Sequence, residues 1–423
     1  MPSISCPSPV RFRRTQRQHS FSTSSLSYNR YSGKFVPAFH STTVSVSNQS
    51  DAMKFSTVIS SVALTSLLQP ALAYPGMANV VSEIKARQNT NNDGDSNPEM
   101  IGDLATTGPT TPVGQSIYNI LMGTESAETK QAGYIPPLIG TNACKRDTCC
   151  IWAYIAAELT LNFKGITGRC NKNARAAIRL GFHDAGTWSK SSNGGGADGS
   201  IALSGTEINK AENNGLQDII GKMITWQKRY GVGMADLIQF AAIHAVVTCP
   251  LGPRIRFFVG RKDSKTANDV SLLPGVNDSA DKLIALFQDK TITPHELAAL
   301  LGAHTTSQQF FVDTTRAGAP QDSTPGVWDT RFYNQTTSDQ VPKKVFRFAS
   351  DVVLAKDPRM SDEWAAFADP VKGQNHWNED YATAYTRLSL LGVNNINNLT
   401  ECSKVLPWAQ PKFPDAWNLF LDQ

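Results

Sequence analysis

The chain has 423 residues, room for two or three domains or for one large bipartite domain with extensions. Forty Lys and Arg against 36 Asp and Glu leave +4, too near balance for the broad basic field of a nucleic-acid binder. A hydrophobic fraction of 40% excludes a wholly disordered chain, and the 30 Gly and 23 Pro show no collagen period.

Residues 1–52 carry several Arg, many Ser and no acid before Asp51. That composition suits a transit peptide, but also an upstream extension or an earlier start than the true one. Met53-Lys54 favours the second reading, because it opens a complete export signal. An apolar core runs from Phe55 to Leu68 and ends in Ala71-Leu72-Ala73, so 53–73 is expected to be a secretory signal peptide cleaved after Ala73. The run is too short and too rich in Ser and Thr for the roughly 20 residues of a membrane span. Residues 74–143 are expected to be a propeptide or linker, mostly disordered. Arg87 to Asp95 has no apolar periodicity, and only short helical patches are expected near Val80–Ala86 and Ile117–Met122.

From Cys144 the pattern becomes helix after helix. Apolar spacing predicts helices over Ile151–Phe163, Ala174–Phe182, Gly215–Tyr230 and Met234–Val247. Thr293 and Glu296 form a capping box with Pro294 at the first helical position, and Leu297, Leu300, Leu301 and His304 then share a face. Strand-like alternation is nearly absent. The fold class is therefore mainly α, with the folded domain over 144–412 and a short tail over 413–423. Cys6 stands alone upstream. Cys144, Cys149, Cys150, Cys170, Cys249 and Cys402 do not have zinc-ligand spacing and read as three disulfides if the protein is secreted.

Four constellations carry chemistry. In Arg179-Leu180-Gly181-Phe182-His183-Asp184, Arg179 and His183 lie four apart on a helix, a guanidinium beside a base that can move a proton. Taken alone, such a pair is usually a surface feature. Gly194-Gly195-Gly196-Ala197-Asp198-Gly199-Ser200 lacks the Lys-Ser/Thr ending of a phosphate loop. Its oxygen donors suit calcium with Asp184 nearby, against the plainer reading of a flexible loop. His304 ends its apolar face, where a histidine is usually a satisfied core residue. Asp322-Ser323-Thr324-Pro325-Gly326-Val327-Trp328-Asp329 again alternates oxygen ligands, or is simply a Pro-Gly turn.

In order and spacing, these motifs resemble the plant-type haem peroxidase superfamily, and within it the secreted fungal class II branch of lignin and manganese peroxidases. The resemblance covers about Cys144 to Pro407. It implies two helical subdomains sandwiching a haem, and reduction of H2O2 to water with one-electron oxidation of small phenolic or aromatic donors. It implies His183 as distal acid–base, Arg179 as distal arginine, and Phe182 packed over the haem. Asn213, held by Glu207, would fix the imidazole, while His304 would be the axial iron ligand with Asp351 as its carboxylate partner. The cofactors implied are haem b and two Ca2+. One ion would sit at Asp184, Gly196, Asp198 and Ser200, the other at Thr305, Asp322, Thr324, Val327 and Asp329. The disulfides implied are Cys144–Cys150, Cys149–Cys402 and Cys170–Cys249; the family's fourth bridge is missing, with Asp362 at one of its positions. A secreted monomer with no nucleic-acid partner and no membrane span is expected, and Asn277, Asn334 and Asn398 begin glycosylation sequons.

The departures are mostly subtractions. Lys172, Ala176 and Phe310 stand where the branch places the three acids that hold Mn2+, Ala299 replaces its surface Trp, and Gln321 replaces a Phe beside the proximal His. Exposed aromatics such as Trp188 or Trp377 are the remaining candidates for an electron relay. The loop from Ala185 to Lys190 contains a Gly-Thr-Trp similar to that of intracellular cytochrome c and ascorbate peroxidases. An intracellular peroxidase and a low-turnover haem-binding redox protein are the alternatives. His244, near Cys249, reads as a packed core histidine.

Overall fold

Helices dominate because apolar side chains recur at helical spacing along nearly all of the folded chain. The computed structural model describes residues 98–192 and 194–413; the expected signal peptide, the helical patch near Val80–Ala86, Cys6 and most of the tail lie outside them. Fourteen α-helices are formed among the described residues. They are α1 Gly102–Thr106, α2 Pro112–Leu121, α3 Asn142–Arg146, α4 Cys150–Phe163, α5 Lys172–Ala185, α6 Ser200–Leu203 and α7 Gln217–Tyr230. The remainder are α8 Met234–Thr248, α9 Ala280–Gln288, α10 Pro294–Leu301, α11 Arg331–Thr337, α12 Ala349–Ala355, α13 Ser361–Phe367 and α14 Gly373–Leu388. The strands are two-residue pieces. β1 Phe258–Val259 pairs antiparallel with β4 Thr400–Glu401, and β2 Gln308–Gln309 with β3 Ala319–Pro320. The architecture is mainly α, as the spacing predicts.

Helix α8 is the central rod, buried at every residue from Met234 to Thr248. Such a helix must be apolar nearly all round, and its few polar side chains are paired, Asp236 with Arg261 for one. Helix α5 crosses it at Gly181, where a Cβ would lie 2.6 Å from Ala242 Cβ and 2.3 Å from the Tyr385 hydroxyl. Only a residue without a side chain permits that approach. Gln239 on α8 locks the crossing: its amide donates to the Gly181 carbonyl at 3.1 Å and accepts from Tyr385 at 2.9 Å.

Helix α10 begins with the expected capping box, the Thr293 hydroxyl accepting from Glu296 N and the Glu296 carboxylate from Thr293 N. It does not continue regularly to His304. At Gly302 it tightens into a 3-10 turn over Gly302–Thr306, which carries the histidine. Gly302 is packed hard against α11 and α14: a Cβ there would meet Trp377 Nε1 and the Tyr333 hydroxyl, each at 2.3 Å.

Three disulfides join Cys144 to Cys150, Cys149 to Cys402 and Cys170 to Cys249, the pairs that the resemblance implies. The first ties a local turn, the second joins opposite ends of the folded domain, and the third links the start of α5 to the end of α8.

The linker expected over 74–143 is not what the described part, 98–143, forms. Thr111 caps α2, with Pro112 just inside it, and Ile101, Leu104, Ile117, Ile120 and Leu121 are buried in the main core. Asp103 accepts from the backbone N–H of Ile396 at 2.7 Å and of Asn397 at 3.1 Å. The helices are too short to show periodicity, and their apolar partners lie almost 300 residues along the chain. The patch expected near Ile117–Met122 is the end of α2.

Candidate active site

Helix α5 presents Arg179 and His183 one turn apart, on the side of the helix opposite its contact with α8. His183 Nδ1 lies 2.9 Å from Asn213 Oδ1. Asn213 is itself oriented, because its Nδ2 donates to the Glu207 backbone carbonyl at 2.9 Å. The Asn oxygen can only accept, so His183 carries its proton on Nδ1 and keeps Nε2 as a free lone pair. Glu207 thus acts through its main chain, not through the carboxylate that the sequence draws attention to. Its carboxylate instead accepts from Ser200 Oγ at 2.8 Å and Asn268 N at 2.9 Å.

Arg179 is pinned by two backbone carbonyls, Nη1 to Asn214 at 2.8 Å and Nη2 to Glu212 at 2.8 Å. Burial lowers its pKa to about 10, which still leaves it charged at neutral pH. Burial, then the Arg179 charge, push His183 down to about 3, so the imidazole is neutral. Phe182 lies against His183 at 5.7 Å between ring centroids and stacks on Phe287.

His304 follows α10. Its Nδ1 is 3.0 Å from Asp351 Oδ2, and Phe332 and Phe348 hold the ring edge-on at 5.6 and 5.7 Å. Burial opposes charge on His304, Asp351 outweighs burial and raises its pKa, and Arg179 works the other way. Arg179 is therefore close enough to disfavour charge on both histidines. His304 lies deep within the protein, yet 32% of its side-chain surface is open. Phe182 and His183 are likewise only partly covered. Two partly open histidines under the influence of one guanidinium, with an aromatic ring against His183, make a donor set of base, cation, ring and imidazole nitrogen. A flat apolar macrocycle carrying a metal fits this donor set.

The two oxygen-rich motifs each close on themselves. At the first, Asp184 Oδ2 accepts from Gly199 N at 3.1 Å, Asp198 Oδ1 from Ser200 N at 2.9 Å, and Asp198 N donates to the Gly196 carbonyl at 2.8 Å. Asp184 Oδ1 is buried with no hydrogen-bond partner. Burial, then the neighbouring Asp198 charge, hold the Asp184 carboxyl well above its usual range. At the second, Thr305 Oγ1 bonds Asp322, Thr324 N donates to Asp322 Oδ1 at 2.8 Å, and Thr324 Oγ1 donates to Asp329 Oδ2 at 2.9 Å. The Val327 carbonyl is 3.5 Å from Thr305 Oγ1. Burial, then Asp329, raise Asp322 strongly. Buried carboxylates crowded together without a cation are expensive, and calcium is the hard ion that their oxygens fit. The first set adjoins His183 through Asp184, the second adjoins His304 through Thr305.

Other expectations meet mixed outcomes. Trp377 is not an exposed relay candidate: it is fully buried, stacked on Trp328 and bonded to the Ala299 carbonyl at 2.9 Å. Ala299 is itself enclosed, so this position points inward. Gln321 is buried beside Ser307 Oγ. Lys172 is exposed at the start of α5. Phe310 is exposed beside Phe311. His244 is a core residue, held between the hydroxyls of Thr160 and Thr248.

A family model described as "Peroxidase" matches residues 158–370. A curated "Peroxidase" from Arthromyces ramosus is 33% identical over 295 residues, 64% of this chain and 79% of the relative. "Ligninase H2" of Phanerodontia chrysosporium is 31% identical over 296 residues, 64% of this chain and 78% of its own length. "Manganese peroxidase H4" of the same organism is 31% identical over 316 residues, covering 68% and 80%.

Proposed function

Because this chain belongs to the haem peroxidase family, in its fungal class II branch, we propose that Arg179, His183 and Asn213 carry its reduction of H2O2, and that small phenols at the haem edge are its electron donors. As a member of that branch it is a haem b enzyme with two structural calcium ions. His304 would hold the iron through Nε2, and the Asp184 and Asp322 clusters would hold the calcium ions. When bound, the haem would supply a redox-active iron able to reduce peroxide.

The protein's own residues divide the remaining work. His183 Nε2 accepts a proton from the inner peroxide oxygen and returns it to the outer one, so that water leaves in place of hydroxide. Arg179 faces the same oxygen and stabilises the charge that builds as the O–O bond lengthens. Asn213 keeps His183 in the tautomer that makes the transfer possible. Asp351 draws the proton of His304 Nδ1 towards itself, making the ligand nitrogen more electron-rich. The observation that carries this reading is the hydrogen-bonded chain from Glu207 through Asn213 to His183 Nδ1. Mere haem binding needs no such chain, which disfavours a redox protein of low turnover. His183→Leu should retain haem and lose the reaction with H2O2 by orders of magnitude; an unchanged rate would remove the assignment.

Secretion as a monomer is the compartment and state we favour. Its support is the export signal at 53–73 and six cysteines paired as three disulfides, an arrangement of oxidising compartments. Among the described residues, no single helix is long and apolar enough to cross a membrane. An intracellular enzyme would use residues 1–52 as a transit peptide; a mature N-terminus at Tyr74 or beyond with disulfides formed, both readable by mass spectrometry, would dismiss it.

Donor choice follows from the substitutions. An exposed ammonium at Lys172, a methyl at Ala176 and a ring at Phe310 provide no hard anionic oxygen for Mn2+. Steady-state assays should show ready oxidation of small phenols, no saturable Mn2+ activity and little turnover of non-phenolic aromatics. Acids placed at 172, 176 and 310 should confer some manganese activity.

A further inference from the structure

Away from the haem slot and both calcium clusters, three ligand-type side chains converge between α13 and α14. Glu363 comes from α13, while His376 and Asp380 lie one turn apart on α14. His376 Nε2 is 3.0 Å from Glu363 Oε1 and 3.0 Å from Asp380 Oδ2. The three ligand atoms all lie within 4.8 Å of one another. The ring is held in place from behind by Phe367, edge-on at 5.1 Å.

Nε2 is buried 3.0 Å from both oxygens, and a single ring N–H points squarely at neither; burial lowers the imidazole pKa, but Asp380 and Glu363 outweigh it and raise it to about 9, so without an ion a proton is shared there. An ion does what the proton cannot, since it accepts all three donors together. Ligands held about 2.0–2.2 Å from one ion, at right angles or tetrahedrally, stand roughly 3 Å apart. Both distances from His376 meet that, and the two carboxylates lie within 4.8 Å of each other. Once the ion displaces that proton, two carboxylates and an imidazole balance a divalent charge.

We propose that Glu363, His376 and Asp380 form a binding site for a divalent transition-metal ion, Zn2+ foremost. One nitrogen and two carboxylate oxygens fit zinc, whereas a calcium site is built from oxygens alone. Asp380 is 28% exposed, which leaves a route of entry and a position for water. Three protein ligands and a water complete the tetrahedral set.

The site's place in the fold gives its occupation a consequence. Trp364, next to Glu363, bonds the Tyr333 carbonyl at 3.1 Å, and Trp377, next to His376, bonds the Ala299 carbonyl at 2.9 Å. An ion here cross-links α13 and α14 behind the turn that carries His304. It touches neither haem nor substrate, so its effect is on the rigidity of that half of the molecule, and it stands independently of the donor assignment.

The test uses the haem- and calcium-loaded enzyme, freed of transition metals and kept in excess calcium. Zn2+ is titrated in competition with a chromophoric chelator, alongside thermal unfolding. The expected result is one Zn2+ per chain with a raised melting temperature. In His376→Gln and Asp380→Asn, affinity should fall at least about tenfold, with the Soret band and far-UV spectrum unchanged. Absence of stoichiometric Zn2+ binding, or binding that both variants leave intact, would overturn the proposal in favour of a protonated histidine shared by two carboxylates. If a variant does not fold, an anomalous zinc peak in a crystal of the unaltered enzyme decides: at these three side chains it supports the site, elsewhere or absent it refutes it.

Discussion

His304 Nδ1 lies 3.0 Å from Asp351 Oδ2, while the second oxygen of that carboxylate is buried with no hydrogen-bond partner. The carboxylate is thus committed to one task, the orientation and polarisation of the imidazole. In Asp351→Asn the partner becomes a neutral amide, and the ligand nitrogen donates less to the iron. Haem should remain bound, the ferric/ferrous potential should rise, and reaction with H2O2 should slow by about 10–100-fold, the usual cost of losing such a partner. Spectroelectrochemistry and stopped-flow absorbance measure the two effects separately. An unshifted potential would mean that Asp351 only positions the ring.

Burial first, and the Arg179 charge second, depress His183 from 6.5 to about 3. As a base it is competent above that value, so the rate of reaction with H2O2 should stay level from neutral pH through mild acid and fall only as pH approaches about 3. Arg179→Ala removes one of the two causes and should move the fall to higher pH. The same shift bears on stability. A histidine kept neutral in the fold but protonated when unfolded favours unfolding as pH drops from 6.5 towards the folded value. His244, also pushed down to about 3 by burial, adds to the effect. A His244→Gln variant that folds should therefore lose less stability on acidification than the unaltered chain.

The helices and the two histidines were legible because both rest on spacing. Arg179 and His183 are four apart, and the capping box marks the start of the helix leading to His304. What was illegible depends on main-chain atoms or distant partners. Glu207 supports Asn213 through its carbonyl, which any residue could offer, so its identity carries no signal for that role. Ala299 and Trp377 could not be assigned to surface or core, because that depends on how α14 packs on α10. The structure of 98–143 escaped notice because α1 and α2 find their partners only when Val393 to Asn397 folds back on them.

That N-terminal segment reaches the active site through Arg387. This guanidinium is fully buried on α14, donating to Glu296 Oε1 at 2.7 Å, to the Glu99 carbonyl at 2.6 Å and to the Leu121 carbonyl at 3.4 Å. Glu296 is also the capping-box acid of α10. Deleting residues 98–127 would leave buried donors unmatched at about 1–3 kcal/mol each, and would expose Ile101, Ile117 and Ile120 contacts as well. The shortened protein should unfold at markedly lower denaturant and lose haem more readily. Asp103→Ala, which removes only the cap on Ile396 and Asn397, should cost about 1–3 kcal/mol and leave activity intact. Equal stability of the truncated and full-length proteins would return this segment to the role of a removable linker.

Calcium removal should have an effect whose size depends on pH. Without the ion, burial first, and Asp198 and Asp329 respectively second, raise the Asp184 and Asp322 carboxyls well above their usual range. Unfolded, both ionise near 3.8. A carboxyl with a raised folded pKa contributes stability below its unfolded value, and that contribution is lost as pH rises towards the folded value. The calcium-free protein should therefore melt at progressively lower temperature from mildly acidic to mildly alkaline solution. With calcium bound the carboxylates are paired with a cation, the penalty disappears, and the slope should flatten or reverse. Chelation should thus cost little in acid and much above neutrality, and the loosened turns at Asp184 and Thr305 should disturb the haem spectrum over the same range. Melting curves with and without chelator, at several pH values, provide the comparison. Asp322→Asn removes the ionisation without removing the bulk, and should make the calcium-free protein less sensitive to alkaline pH while weakening its calcium affinity. A calcium effect independent of pH would show that these two carboxyls are not what the ion stabilises.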